Sequence, residues 1–174
     1  MSLKRPKAKN GVRPTSSLVK TAIFNLLPPG ILDGAQVLDA YAGTGALGFE
    51  ALERGAAQVD FVDKDADMCR RIRESLKDAG LTEQTHVYAA FMKRAIAFLT
   101  GPYDVLLMDP PYADPQIGDT MALVAGSGLL KQGGVLVVEH ASRVTLAERF
   151  GGLVLVRLRR YGDTSVSIYR MGEA

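Results

Sequence analysis

The chain has 174 residues, 47% of them hydrophobic and 23% charged, with a formal net charge of +2 at pH 7. That length suits one domain able to bury about 70% of its extended-chain surface, and the balance excludes a disordered chain. No apolar run approaches the ~20 residues of a membrane span, the single cysteine, Cys69, excludes an internal disulfide, and two histidines beside it offer no zinc-type cluster. A cytoplasmic protein without a metal is expected, with no signal-peptide core at the start.

Charge is unevenly placed. Lys4, Arg5, Lys7, Lys9, Arg13 and Lys20 are the only charged side chains among the first twenty residues, and a second basic run, Arg157-Leu158-Arg159-Arg160, falls late. Basic, acid-free stretches are the electrostatic footprint of nucleic-acid binding. Residues 1–14 therefore read as a basic arm and 15–174 as the single folded domain, with Met1-Ser2-Leu3 read as a cloning scar.

The first predicted element is a helix over Ser16–Leu27, with Leu18, Ala22, Ile23, Leu26 and Leu27 on one face and Pro28-Pro29-Gly30 ending it. Strands are expected at Gln36–Ala40, Val59–Val62, Thr85–Ala89, Asp104–Met108 and Val135–Glu139. Helices alternate with them near Leu47–Arg54, Ala66–Ala79, Lys93–Leu99 and Ile117–Ala125. Strict alternation of this kind predicts an α/β fold with a parallel, doubly wound sheet and right-handed crossovers. A last helix, Val144–Phe150, then precedes strands Leu153–Arg160 and Ser165–Arg170, joined as a hairpin by Tyr161-Gly162-Asp163-Thr164.

Between the first strand and the second helix, Gly43, Gly45 and Gly48 have G-x-G-x-x-G spacing in strand–turn–helix context, where backbone can turn tightly and a ligand can approach the helix N-terminus. Asp63, twenty positions after Gly43 at the end of the second strand, is placed to grip two ribose hydroxyls. An Asp there with no adjacent arginine disfavours a 2′-phosphate, leaving NAD, FAD or S-adenosylmethionine. Asp39, just before the turn, favours the last, because its carboxylate suits an ammonium group and repels a pyrophosphate. It could equally cap amides of the turn.

Asp109-Pro110-Pro111-Tyr112 follows the apolar run Val105–Met108, where a buried strand ends and ligands of open α/β sheets bind. Proline fixes φ and lacks an N–H, so the Pro110 carbonyl holds a set direction. A planar amine could donate to Asp109 and to that carbonyl while Tyr112 stacks on its ring. The local alternative is a strand-terminating turn.

Taken together, Asp39, Gly43-Thr44-Gly45, Asp63 and Asp109-Pro110-Pro111-Tyr112 make the chain resemble class I S-adenosylmethionine-dependent amino-methyltransferases. More narrowly it resembles the RsmD family, which methylates the exocyclic N2 of a guanine in 16S ribosomal RNA. The narrower likeness rests on Gly11-Val12-Arg13-Pro14-Thr15 leading into Val19–Leu27, on Ala42–Leu52, and on Arg160-Tyr161-Gly162-Asp163-Thr164. It implies a Rossmann-like sheet of seven mostly parallel strands, order 3-2-1-4-5-7-6, with helices on both faces. It also implies S-adenosylmethionine as methyl donor and S-adenosylhomocysteine as product, and ribosomal RNA or the small ribosomal subunit as partner, with no obligate protein partner. Asp109, Pro110 and Tyr112 are the expected catalytic residues. Thr15, Asp39, Tyr41, Gly43, Gly45, Gly48, Asp63, Lys64 and Ala90 are the expected cofactor contacts.

Three departures stand out. Members usually begin with a short basic hairpin before the Arg-Pro-Thr segment, and about ten residues precede it here; Lys20-Thr21 stands where Arg-Glu is usual, and Ala89-Ala90-Phe91 stands where an acid usually meets the adenine. Adenine would then be held by backbone groups and apolar contact. Rival functions are adenine-N6 or protein-glutamine methylation, a nucleotide-binding oxidoreductase, which has no use for Asp-Pro-Pro-Tyr, and a non-catalytic RNA-binding module.

Overall fold

A computed structural model describes residues 2–7, 16–112 and 114–172. Helix α1 (Ser17–Leu26) starts where the Ser16 side chain accepts from the Val19 amide, filling one of the donors a helix N-terminus leaves open. Strand β1 (Gln36–Ala40) runs into the glycine turn and α2 (Ala46–Glu53), then β2 (Gln58–Asp63) and α3 (Ala66–Asp78), capped by Asp65. Then come β3 (Thr85–Ala89), a short α4 (Met92–Ala95), β4 (Tyr103–Met108), α5 (Ile117–Ser127) and β5 (Leu130–Ala141). The chain closes with β6 (Arg149–Phe150), β7 (Leu153–Tyr161) and β8 (Thr164–Met171).

Period-two alternation in the strands divides the core into two layers. Val37, Val59, Phe61, Val105 and Leu107 face the side covered by Ile23 of α1, Phe49 of α2 and Ile72 of α3. Leu38, Ala40, Val62, Leu106 and Met108 face Met92 and Ala95 of α4 and Met121 and Val124 of α5. Both faces being covered explains why these central strands read as nearly continuous apolar runs. Each large core side chain removed from water contributes roughly 1.5–3 kcal/mol.

The sheet has eight strands in the order β3-β2-β1-β4-β5-β8-β7-β6, against seven expected. β1 through β5 pair parallel, and β8 runs antiparallel to both β5 and β7. Without the two-residue β6 the order is the expected one. The predicted helix Val144–Phe150 does not form. Its place is taken by irregular chain over 144–148 and by β6, where Arg149 and Phe150 pair with Val154 and Leu153. Two β-branched residues, Val144 and Thr145, weaken that segment as a helix. The Phe150 ring instead meets buried Tyr169 edge-on at 5.8 Å, and the Tyr169 hydroxyl donates to the Ala147 carbonyl at 2.7 Å.

The N-terminal segment also departs from a free basic arm. Leu3 packs on the core layer over α2, and the Leu3 amide donates to Glu53 at 2.6 Å. Arg5 pairs with Glu50 at 3.1 Å, and Lys20 meets the same carboxylate at 3.4 Å. Two of the cations expected to serve nucleic acid are thus engaged within the fold. Among the described residues no helix is long and apolar enough to cross a membrane.

Candidate active site

The site is assembled at the carboxyl ends of β1, β2, β4 and β5. At the end of β1, Tyr41 turns with φ of +58°, and Gly43 and Gly45 follow at +57° and +78°. Hydrogen bonds from the Ala42 amide to Val62 O (2.9 Å) and from the Gly45 amide to Ala42 O (2.7 Å) fix this turn against β2. The left-handed backbone at Gly43 and Gly45 is what glycine permits without strain.

Two acids hold the turn from inside. Asp63 accepts from the Gly43 amide at 2.8 Å and, through its other oxygen, from the Asp65 amide at 2.8 Å. Asp39, only 1% exposed, accepts from the Gly48 amide at 2.8 Å. Burial raises the Asp39 carboxyl well above the usual range, the Gly48 amide opposes that, and the negative charges of Asp109 and Asp63 add to it. The Asp39 carboxylate is therefore costly as it stands and would be relieved by a cation.

A cavity of about 820 Å³ opens over these groups, within the range of small-molecule sites. Among the residues singled out in the sequence, Asp39, Tyr41, Gly43, Asp63, Lys64, Ala90, Asp109, Pro110 and Tyr112 all line it. The glycine turn and the Asp-Pro-Pro-Tyr loop thus share one chamber. Gly45 and Gly48, by contrast, are buried just behind this lining. Their role is packing: a Cβ on Gly48 would lie 2.3 Å from the Phe61 ring, and one on Gly45 would lie 3.0 Å from Phe49. Absence of side chains there lets α2 settle on β2. Thr15 lies outside the described residues; its neighbour Ser16 lines the cavity.

Tyr112 is half exposed, with its hydroxyl donating to the Asp163 carbonyl at 3.2 Å and the Arg143 guanidinium 5.2 Å from its ring centroid. The β7–β8 hairpin therefore forms a wall of the site, and Thr164 reaches the cavity. Burial raises the Tyr41 phenol, the neighbouring Thr120 side chain opposes that, and the negative charge of Asp114 adds to it.

Several lining residues were not among the expected contacts. Phe91 is 63% exposed yet lines the cavity beside Ala90, with the Lys64 ammonium 5.8 Å from its ring centroid. A large exposed ring directly after a strand end was a usable signal. Glu139 and His140, at the end of β5, also line the chamber. His140 Nδ1 lies 3.0 Å from the Ala141 carbonyl, which can only accept, so Nδ1 carries the proton and Nε2 accepts from Ser167 Oγ at 2.8 Å. Burial lowers the His140 pKa and keeps the ring neutral. Among the described residues, no three His, Cys, Asp or Glu side chains gather as metal ligands.

The strand order, the glycine turn after β1 and the acid closing β2 define a class I methyltransferase fold. Comparison with known proteins agrees. The Escherichia coli protein yhhF, provisionally titled a methyltransferase, superposes with a TM-score of 0.82 at 27% identity, covering 94% of this chain and 90% of that one. YlbH of Bacillus subtilis, provisionally named an rRNA methyltransferase, is 36% identical over 94% of this chain and 90% of its own length. Ribosomal RNA small subunit methyltransferase D of Escherichia coli is 33% identical over 74% of this chain and 64% of its own length. The family described as Conserved hypothetical protein 95 matches residues 2–170, and the chain belongs to that family, the RsmD-type methyltransferases.

Proposed function

We propose that this protein transfers a methyl group from S-adenosylmethionine to the exocyclic N2 of a guanine in 16S ribosomal RNA. The observation that carries the reading is the shared chamber: the glycine turn with Asp39 and Asp63 on one side, Asp109-Pro110-Pro111-Tyr112 on the other. Family relatives named for small-subunit ribosomal RNA support the choice of substrate.

The residues suit the cofactor. Asp63 already spends one lone pair of each oxygen on an amide, and each oxygen keeps another for a ribose hydroxyl. Asp39 offers its carboxylate to the ammonium end, with Tyr41 and Gly43 beside it, and Thr15 is assigned to the same end. Ala90, Lys64 and the exposed face of Phe91 suit a planar purine, replacing an acidic contact with stacking worth ~1–3 kcal/mol. Bound S-adenosylmethionine would supply a methyl group already activated by its sulfonium, so no covalent enzyme intermediate is required.

The harder task is the nucleophile, because guanine N2 delocalises its lone pair into the ring. Asp109 and the Pro110 carbonyl would accept from the two N–H bonds, holding the amine in place and favouring a pyramidal nitrogen. Positioning of this kind can lower a barrier by ~7–11 kcal/mol. Asp109 further places negative charge where positive charge develops. Tyr112, with the Arg143 guanidinium 5.2 Å from its ring centroid, would stack on the flipped base.

The test is methyl transfer from labelled S-adenosylmethionine to small-subunit RNA, followed by mass mapping of the product nucleotide. Recovery of N2-methylguanine is expected; a methyladenine product would reassign the target. Asp109→Ala should reduce transfer by about 10²–10³ while S-adenosylhomocysteine affinity, read by calorimetry, stays within a few-fold.

A further inference from the structure

The second basic run lies on an unusual piece of the sheet. β7 pairs with β8 along its length, but on its outer side β6 reaches only Leu153 and Val154. Beyond the Leu155 amide, which donates to the Glu148 carbonyl, no described strand covers that edge. Arg157, Arg159 and Arg160 are all exposed there, with Val156 at 57% and Leu158 at 50% exposure between them.

Topology aims this edge at the site. β7 and β5 are both antiparallel to β8, so they run in the same direction and end together. β5 delivers Glu139 and His140 to the chamber, and β7 ends, after Arg159 and Arg160, in the hairpin whose Asp163 carbonyl accepts from Tyr112 and whose Thr164 lines the chamber. Arg160 Nε donates to the Gly162 carbonyl at 3.1 Å, tying its guanidinium to the hairpin tip. From Arg160 back to Arg157 the strand covers about 10 Å at ~3.3 Å per residue. Register slips between Leu155 and Arg157, and beyond it Arg157 and Arg159 pair with Ile168 and Val166 on one face while Arg160 pairs with Ser165 on the other. The guanidinium groups therefore straddle the edge.

Arg5, Lys20, Arg54, Arg70, Arg71, Lys93 and Lys131 each meet a carboxylate within 4.0 Å. Among the described residues, Arg143, Arg157, Arg159 and Arg160 make no such ion pair. Lacking a carboxylate partner is shared with Lys64, Arg73, Lys77, Arg94, Arg149 and Arg170; what sets Arg157, Arg159 and Arg160 apart is that they are also clustered on one exposed strand end. Arginine's planar fork matches phosphate oxygens two at a time. Charges on an edge strand also discourage pairing with another chain. That role does not require them to gather at the end next to the chamber, or Arg143 to sit over the ring of Tyr112.

We infer that the open edge of β7, through Arg157, Arg159 and Arg160, is the track that holds the phosphate backbone of the RNA beside the nucleotide presented to Asp109. This rests on the proposed function and adds to it where the polyanion lies. It makes the contact one of backbone charge, independent of base sequence.

The experiment titrates the full chain into a fluorescent single-stranded RNA oligonucleotide by anisotropy, from about 50 to 200 mM salt. The variant R157Q/R159Q/R160Q should bind at least about tenfold more weakly. Its slope of log affinity against log salt should be shallower by about 2, given ~0.7 per phosphate contact in single strands. R157K/R159K/R160K keeps the charge and should recover most of the loss, and S-adenosylhomocysteine affinity should stay within about twofold in both, showing that the fold is intact. RNA affinity and salt slope unchanged in the Gln variant would overturn the inference. So would a Lys variant as weak as the Gln variant, or a Gln variant that self-associates in sedimentation with its RNA affinity unchanged. Failure of the unaltered protein to bind S-adenosylhomocysteine or RNA would instead overturn the function proposed above.

Discussion

The two halves of the sheet are built for opposite charges. The half carrying β1 and β2 ends in Asp39 and Asp63, both turned inward onto backbone amides and surrounded by packed side chains. The half carrying β8 and β7 ends in a hairpin with an arginine-rich, uncovered edge. Acids fixed on backbone amides, Asp39 buried and Asp63 partly so, suit a small cationic ligand that must be held in one pose. Long, solvated arginines suit a polyanion that can settle over several phosphates. Asp109 lies at the end of β4, between the two halves, where both ligands would meet.

The sharpest way to break this contrast is at Asp63. Asp63→Ala removes the acceptor for two amides and for the ribose, and hydrogen bonds to charged groups contribute ~1.5–3 kcal/mol each. S-Adenosylhomocysteine affinity should fall by about 10–100-fold in calorimetry, while RNA affinity moves little. A comparable loss of both would show that the halves are not independent. Next comes Gly48→Ala, whose Cβ would strike the Phe61 ring. Overpacking of this kind costs about 1–3 kcal/mol, read as a lower midpoint in urea unfolding.

Two titrations sharpen the picture further. Asp39 has a folded pKa raised above its unfolded value, so its contribution to stability is present at low pH and is lost as pH rises through the folded pKa. A bound cation reverses the preference. Ligand affinity should therefore climb as pH rises through that pKa, and calorimetry in buffers of different ionisation enthalpy should detect proton release. Asp39→Asn should abolish the release. His140 has the opposite sign: its folded pKa is lowered, so the unfolded chain takes up the proton first as pH falls below the ordinary histidine value. Stability should decline across that window, and His140→Gln should flatten the decline.

The glycine-bearing half was legible in the sequence because its determinants are local. Strand, turn, helix and acid follow within about thirty residues, and the Asp-Pro-Pro-Tyr loop is contiguous. What escaped depended on distant partners. Nothing near Arg5 reveals that Glu50 will neutralise it, and nothing in Val144–Phe150 reveals that β7 offers an edge to Arg149 and Phe150. The glycine pattern also conflates two functions: Gly43 opens onto the chamber, whereas Gly45 and Gly48 make room for Phe49 and Phe61. Phe91 was visible as an aromatic after β3, but only its exposure inside the chamber gives it a place in the site.

Tyr41 shows what this architecture asks of its own backbone. A side chain other than glycine at φ of +58° sits in a region that L-residues enter at a cost of roughly 1–2 kcal/mol. Tyr41→Gly would release that tension, but it would also remove a ring packed, partly buried, against the core and give the unfolded chain more freedom, so the free protein should become less stable. The change would further delete an aromatic wall of the chamber, so the site would lose shape as the melting temperature fell. At this strand end one side chain both seals the core and shapes the chamber, which is why a tyrosine is kept where the backbone alone would favour glycine.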